Sequence, residues 1–138
     1  MDDQKTSGLR VRTFMVDDHA VFLDELAHLL AESHETDVVG RTVSGEDALE
    51  QIAVLRPDLI LMDLAMPGMG GLEATRRLKA KPDAPRVIML SLHEHPMYRM
   101  AALDAGASGF VSKSKLGTAL LPMIRSLFPA GIEHTVAS

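Results

Sequence analysis

The sequence predicts an α/β fold: a parallel sheet doubly wound, with helices on both faces. Two observations predict it. Five short apolar runs, at residues 11–16, 38–39, 59–62, 87–90 and 109–111, alternate with five stretches whose apolar residues recur at helical spacing. Most of these runs are near-continuously apolar, as strands buried on both faces must be. At 138 residues, with 46% apolar side chains, the chain is long enough to bury a core as one domain.

Each element has its own signal. VRTFMV at 11–16 reads as the first strand, and Phe22, Leu26, Leu29 and Leu30 mark the helix after it. Val38 and Val39 form the second strand. Ser44-Gly45-Glu46-Asp47 resembles a capping box, with Ala48, Leu49 and Ile52 on one face behind it. LILM at 59–62 is the third strand. Leu72, Thr75 and Leu78 mark a third helix, on which Arg76 and Arg77 face solvent. VIML at 87–90 is the fourth strand, and Pro96 suits the first turn of a helix that runs to about Ala105. Gly109-Phe110-Val111 is the fifth strand, with a last helix over roughly 118–128. Pro122 in that helix removes a backbone donor, so a late start or a bend is expected. Residues 1–8 and 129–138 read as loose tails flanking a domain at 9–128.

Composition narrows the function. The net charge of −5 argues against a nucleic-acid surface, which carries a basic stripe. With no cysteine, disulfides and thiolate metal sites are excluded. No apolar run approaches the roughly 20 residues that span a bilayer, and residues 1–8 lack a signal peptide's apolar segment. A soluble cytoplasmic protein without membrane contact is expected.

Right-handed crossovers put the carboxyl end of every strand on one sheet edge, where such folds bind ligands. The residues just past each strand are therefore candidates for a site. Asp17, Asp18 and His19 come after the first strand, Asp63 after the third, Ser91 after the fourth and Lys113 after the fifth. Singly these have ordinary readings: a strand-ending acid, a helix N-cap for one of the Asp17–Asp18 pair, a loop serine, a solvated lysine. Together, three carboxylates on one edge repel, so one is protonated or a cation sits among them. Oxygen donors without cysteine favour Mg²⁺. A carboxylate can also attack phosphorus, provided that a metal, a cation and a hydroxyl hold the transferred oxygens. Asp18, Lys113 and Ser91 could fill those roles around Asp63. His93 and His95 lack further clustered ligands, and the nine methionines read as core filler.

The pieces VDDHAVF, RPDLILMDLAMPGMGGLEATRRL, VIMLSLH and ALDAGASGFVSKS, in this order, resemble a receiver domain of two-component response regulators over about residues 9–128. His19 after the acidic pair and the AGASGFVSK piece most resemble receivers of regulators that carry a helix-turn-helix output domain. The resemblance implies a flavodoxin-like (βα)5 fold with sheet order 2-1-3-4-5. It implies Asp63 as phosphoacceptor. It implies Mg²⁺ held by Asp17, Asp18 and Asp63 and by the backbone carbonyl of Ala65, with Asp18 the more direct of the pair. Ser91 and Lys113 become the phosphoryl-binding switch residues, and Phe110 occupies the aromatic switch position. The implied partners are a sensor histidine kinase or phosphotransfer protein, and a downstream protein or second copy met through the fourth and fifth helices. Such a domain signals rather than turning over a metabolite; it catalyses only its own phosphorylation and slow hydrolysis.

The chain departs from the pattern at Ser114, where many receivers have proline after a cis bond; a cis bond without proline costs roughly 2.5–4 kcal/mol and is not expected. Phe110 has no hydroxyl, so its switching must work by packing. Ala65 is small and leaves the phosphoryl group open to water. Only ten residues follow Phe128, so DNA binding by this chain is not expected, although it could be the receiver part of a DNA-binding transcriptional regulator. A haloacid-dehalogenase-like phosphatase would want a second acid at Ala65. A flavodoxin would want a phosphate-cradling loop where Asp17 and Asp18 stand.

Overall fold

The computed structural model describes residues 10–129. The tail expected at 1–8, and nearly all of that expected at 129–138, lie outside the described residues. The elements run β1 (Val11–Val16), α1 (Ala20–Ala31), β2 (Thr36–Thr42), α2 (Gly45–Leu55), β3 (Leu59–Asp63), α3 (Gly71–Lys79), β4 (Arg86–Ser91), α4 (Pro96–Asp104), β5 (Gly109–Ser112), a 3₁₀ turn (Lys113–Lys115) and α5 (Leu116–Leu127). All strand pairs are parallel, in the order β2-β1-β3-β4-β5. The doubly wound (βα)5 architecture read from the sequence is the one observed.

Strand alternation sorts the apolar side chains into two cores. Phe14, Val16, Ile60, Met62, Val87, Met89 and Phe110 pack beneath α2, α3 and α4. Met15, Leu59, Leu61, Ile88, Leu90 and Val111 pack beneath α1 and α5. β3 is central, and all five of its residues are buried. This is why residues 59–62 are apolar without interruption. β2 is an edge strand with only its end residues buried, and it runs beyond Val38 and Val39 to seven residues. Its polar sequence, TDVVGRT, conceals that length. A register shift between Thr13 and Phe14 kinks the β1–β2 pairing.

Local chemistry sets the helix ends. The Ser44 hydroxyl accepts from the Asp47 N–H at 3.0 Å, the forward half of the expected capping box. Pro96 opens α4, and the ring of His95 before it accepts from the Met97 N–H at 3.1 Å. The late start expected for the last helix is not found. The 3₁₀ turn feeds directly into α5, which begins at Leu116. Pro122 lies mid-helix on the exposed side, where water can satisfy the carbonyl that its missing N–H leaves unbonded. No peptide bond among the described residues is cis.

Candidate functional site

Sheet register carries the predicted residues to one edge. Val16 pairs with Met62, so Asp17 and Asp63 leave neighbouring strands at the same level. Asp63 pairs with Leu90 and Ser91 with Ser112, which puts Ser91 and Lys113 one step further out on β4 and just past β5. The β3–α3 connection is held tightly. The Leu64 N–H donates to the Leu90 carbonyl at 2.9 Å, and the Gly71 N–H to the Leu64 carbonyl at 3.0 Å. A Cβ on Gly71 would collide with the carbonyl oxygen of Asp63, so the helix can approach the strand end only with glycine there.

Asp17 and Asp63 are both buried, and one cation bridges them. The Lys113 ammonium donates to Asp17 Oδ2 at 2.6 Å and lies 3.1 Å from Asp63 Oδ1, with its own side chain only 6% exposed. The ring of Phe22, from the first turn of α1, lies 4.3 Å from that ammonium. Asp17 Oδ1 accepts the backbone N–H of His19 at 2.9 Å. Asp17 thus shapes the entry into α1, while the helix N-cap is His19, which makes no side-chain capping bond. The His19 imidazole stands 3.3 Å from Asp17 Oδ1 and 3.2 Å from Asp18 Oδ1. Asp18 Oδ1 is buried and accepts no hydrogen bond. Asp17, Asp18, His19 and Asp63 each bring a ligand atom within 4.8 Å of the others.

Burial pushes the Asp63 carboxyl up from 3.8 to about 6. The Asp17 charge adds to the rise, the Lys113 charge and hydrogen bond oppose it, and Asp18 contributes a smaller push upward. The three acids exceed the single lysine by two negative charges.

The remaining expected residues lie at differing distances from this centre. Ser91 is buried, and its hydroxyl accepts the His93 N–H at 2.9 Å. Its single proton stays available, but no hydrogen bond joins it to Asp63. Phe110 is buried away from the carboxylates, in the core under α4, with the Arg99 guanidinium 5.5 Å from its ring. Ala65 is exposed in the turn after Asp63. His93 stacks on Tyr98 and His95 caps α4, so both have structural work. Three neighbours had no chemical role assigned from the sequence: His19 and Phe22 beside the acids, and Glu94, which binds Ser112 and Ser114 on either side of Lys113. For Phe22 a signal existed. It opens the helical apolar pattern one turn after the acids, so it must lie near the strand ends.

Comparison with known proteins converges on one family. The family model of the response regulator receiver domain matches residues 13–125. The response regulator GacA of Pseudomonas viridiflava is 37% identical over 118 residues, covering 85% of this chain and 53% of that protein. The transcriptional activator protein ExaE of Pseudomonas putida is 39% identical over 126 residues, covering 90% of this chain and 59% of that protein. This chain thus spans little more than half the length of these relatives. The response regulator domain of Thermotoga maritima CheB superposes with a TM-score of 0.79 at 30% identity, covering 87% of this chain and 97% of that one.

Proposed function

Because the chain belongs to the response regulator receiver family of two-component signalling, we propose that Asp63 is the residue on which it takes up a phosphoryl group. The observation that carries this reading is the Lys113 ammonium shared between Asp17 and Asp63, beside an Asp18 oxygen that accepts no hydrogen bond. Three carboxylates against one ammonium, with a buried oxygen that accepts no hydrogen bond, fit a divalent cation, and carboxylate donors suit Mg²⁺. Asp17, Asp18, Asp63 and the backbone carbonyl of Ala65 would hold it, with Asp18 the direct ligand of the pair. Bound there, Mg²⁺ supplies positive charge to the oxygens of the transferred group.

The chain's own residues do the rest. An Asp63 oxygen attacks phosphorus in line with the phosphoramidate bond of a phosphohistidine, on a sensor histidine kinase or phosphotransfer protein. The P–N bond breaks, and the imidazole nitrogen keeps the electron pair and takes a proton. Lys113 exchanges its contact with the Asp63 carboxylate for a phosphoryl oxygen. Ser91, already an acceptor from His93, donates its unused proton to another. These two movements bias an equilibrium between arrangements of α4, β5 and α5. Phe110 transmits the shift by packing, because its ring lies between the sheet and Arg99 of α4. Output passes through α4 and α5 to a downstream protein or a second copy; α4 exposes Met97, Met100 and Leu103 there. The name of ExaE supports a second reading, in which the same switch serves a transcriptional regulator. The net charge of −5 supports no direct DNA contact by this chain in either case.

Intact-mass measurement after acetyl phosphate and Mg²⁺ tests the assignment. One phosphoryl adduct is expected on the wild type and none on Asp63→Asn. A wild type without adduct, or a variant that gains it equally, refutes the site.

A further inference from the structure

Lys113 is held from two sides. Towards the acids it is held by charge. Away from them, its two sequence neighbours are tied to a different loop. Glu94 Oε2, between β4 and α4, accepts the Ser114 hydroxyl at 2.6 Å and the Ser112 hydroxyl at 2.9 Å. The two hydroxyl oxygens are themselves 2.9 Å apart, and the Ser114 N–H points to Ser112 Oγ at 3.3 Å. Each hydroxyl has one proton, so two protons serve three edges and the carboxylate is the acceptor both can share. These bonds, first to Ser114 and then to Ser112, hold the Glu94 carboxyl below its usual range, so it accepts as a charge. The same loop is tied to Ser91, the last residue of β4, whose hydroxyl accepts the His93 N–H.

We propose that Glu94 is a positioning residue for phosphoryl transfer: it clamps the serines flanking Lys113 to the loop that follows and bonds Ser91, so that lysine and hydroxyl address Asp63 as one unit. Without proline at position 114, the turn after Lys113 has no ring to stiffen it, and the side-chain knot does that work. Glu94 is exposed and touches neither the acids nor the phosphoryl position, so its effect runs through Lys113. The inference rests on the phosphoacceptor reading of Asp63.

The test is the rate of adduct formation by intact mass, on the full chain with saturating acetyl phosphate and Mg²⁺. Glu94→Ala and the double variant Ser112→Ala/Ser114→Ala should each slow the reaction about tenfold, the order expected when a reacting group is misplaced by a fraction of an ångström. Combining all three substitutions should slow it no further, because both changes remove one clamp. Glu94→Gln, which keeps an acceptor oxygen, should recover most of the rate, and thermal midpoints should barely move. A wild-type rate for Glu94→Ala, effects that multiply in the combined variant, or a Glu94→Gln as slow as Glu94→Ala would each overturn the clamp while leaving Asp63 as acceptor. A wild type that gains no adduct would refute the acceptor itself and the clamp with it.

Discussion

At neutral pH the unmodified Asp63 carboxylate is a burden on the fold. Its value of about 6, against 3.8 for an ordinary aspartate, means that the folded chain holds more protons than the unfolded one between those values. Stability therefore falls as pH rises through that window, and the whole penalty is present above it. A shift of about two units corresponds to about 3 kcal/mol. Asp63→Asn, compared with wild type in EDTA, should be more stable by about 2–3 kcal/mol at pH 7.5 and should lose that advantage below about pH 4. Urea titrations at both pH values would show it, and an advantage that does not change with pH would contradict the proposed burial of charge. Ala65 is exposed in the turn after that carboxylate, and we propose that its small side chain leaves a phosphoryl group there open to water. Ala65→Arg should lengthen the phosphorylated lifetime severalfold; an unchanged rate of adduct loss would remove Ala65 from that role. The acids, Ser91 and Lys113 were legible in the sequence because each comes just after an apolar run, and strand ends share an edge. Glu94 was not, since its partners lie 18 and 20 residues away and only the fold brings them together.

Elements were legible in proportion to their burial. β3 and β4 sit between two cores, so an unbroken apolar run marked each strand to within a residue or two of its ends. β2, at the edge, needs apolar residues at few positions, and only its middle was visible. The beginning of α5 was hidden because the turn at Lys113–Lys115 serves the site and carries no apolar period. Pro122 is the element-scale anomaly. It occupies an exposed, mid-helix position where it satisfies no backbone bond, so Pro122→Ala should add about 1–3 kcal/mol, the lower part of that range allowing for the freer unfolded chain. Equilibrium unfolding would register this as a higher midpoint. A loss of stability would mean that α5 needs the ring.

For the whole molecule, the sheet places its charge cluster outside both cores, so the fold tolerates the repulsion without depending on it. The domain should therefore fold without divalent cation and gain stability when one binds. At 100 times its dissociation constant a native-state ligand adds about 2.7 kcal/mol, which for a chain of this size is a rise in Tm of roughly 7–12 °C. The net charge of −5 complicates the measurement, because any salt screens self-repulsion and raises Tm somewhat. The comparison must therefore hold ionic strength constant, with KCl replacing MgCl₂. Under that condition a site-bound cation and a diffuse atmosphere diverge. Site binding saturates and is lost in Asp18→Asn, which removes the carboxylate whose buried oxygen accepts no hydrogen bond. Screening does not saturate in this way and is indifferent to that one substitution. A Tm rise that is equal in KCl, or that survives Asp18→Asn undiminished, would show that the acids at this edge hold no metal.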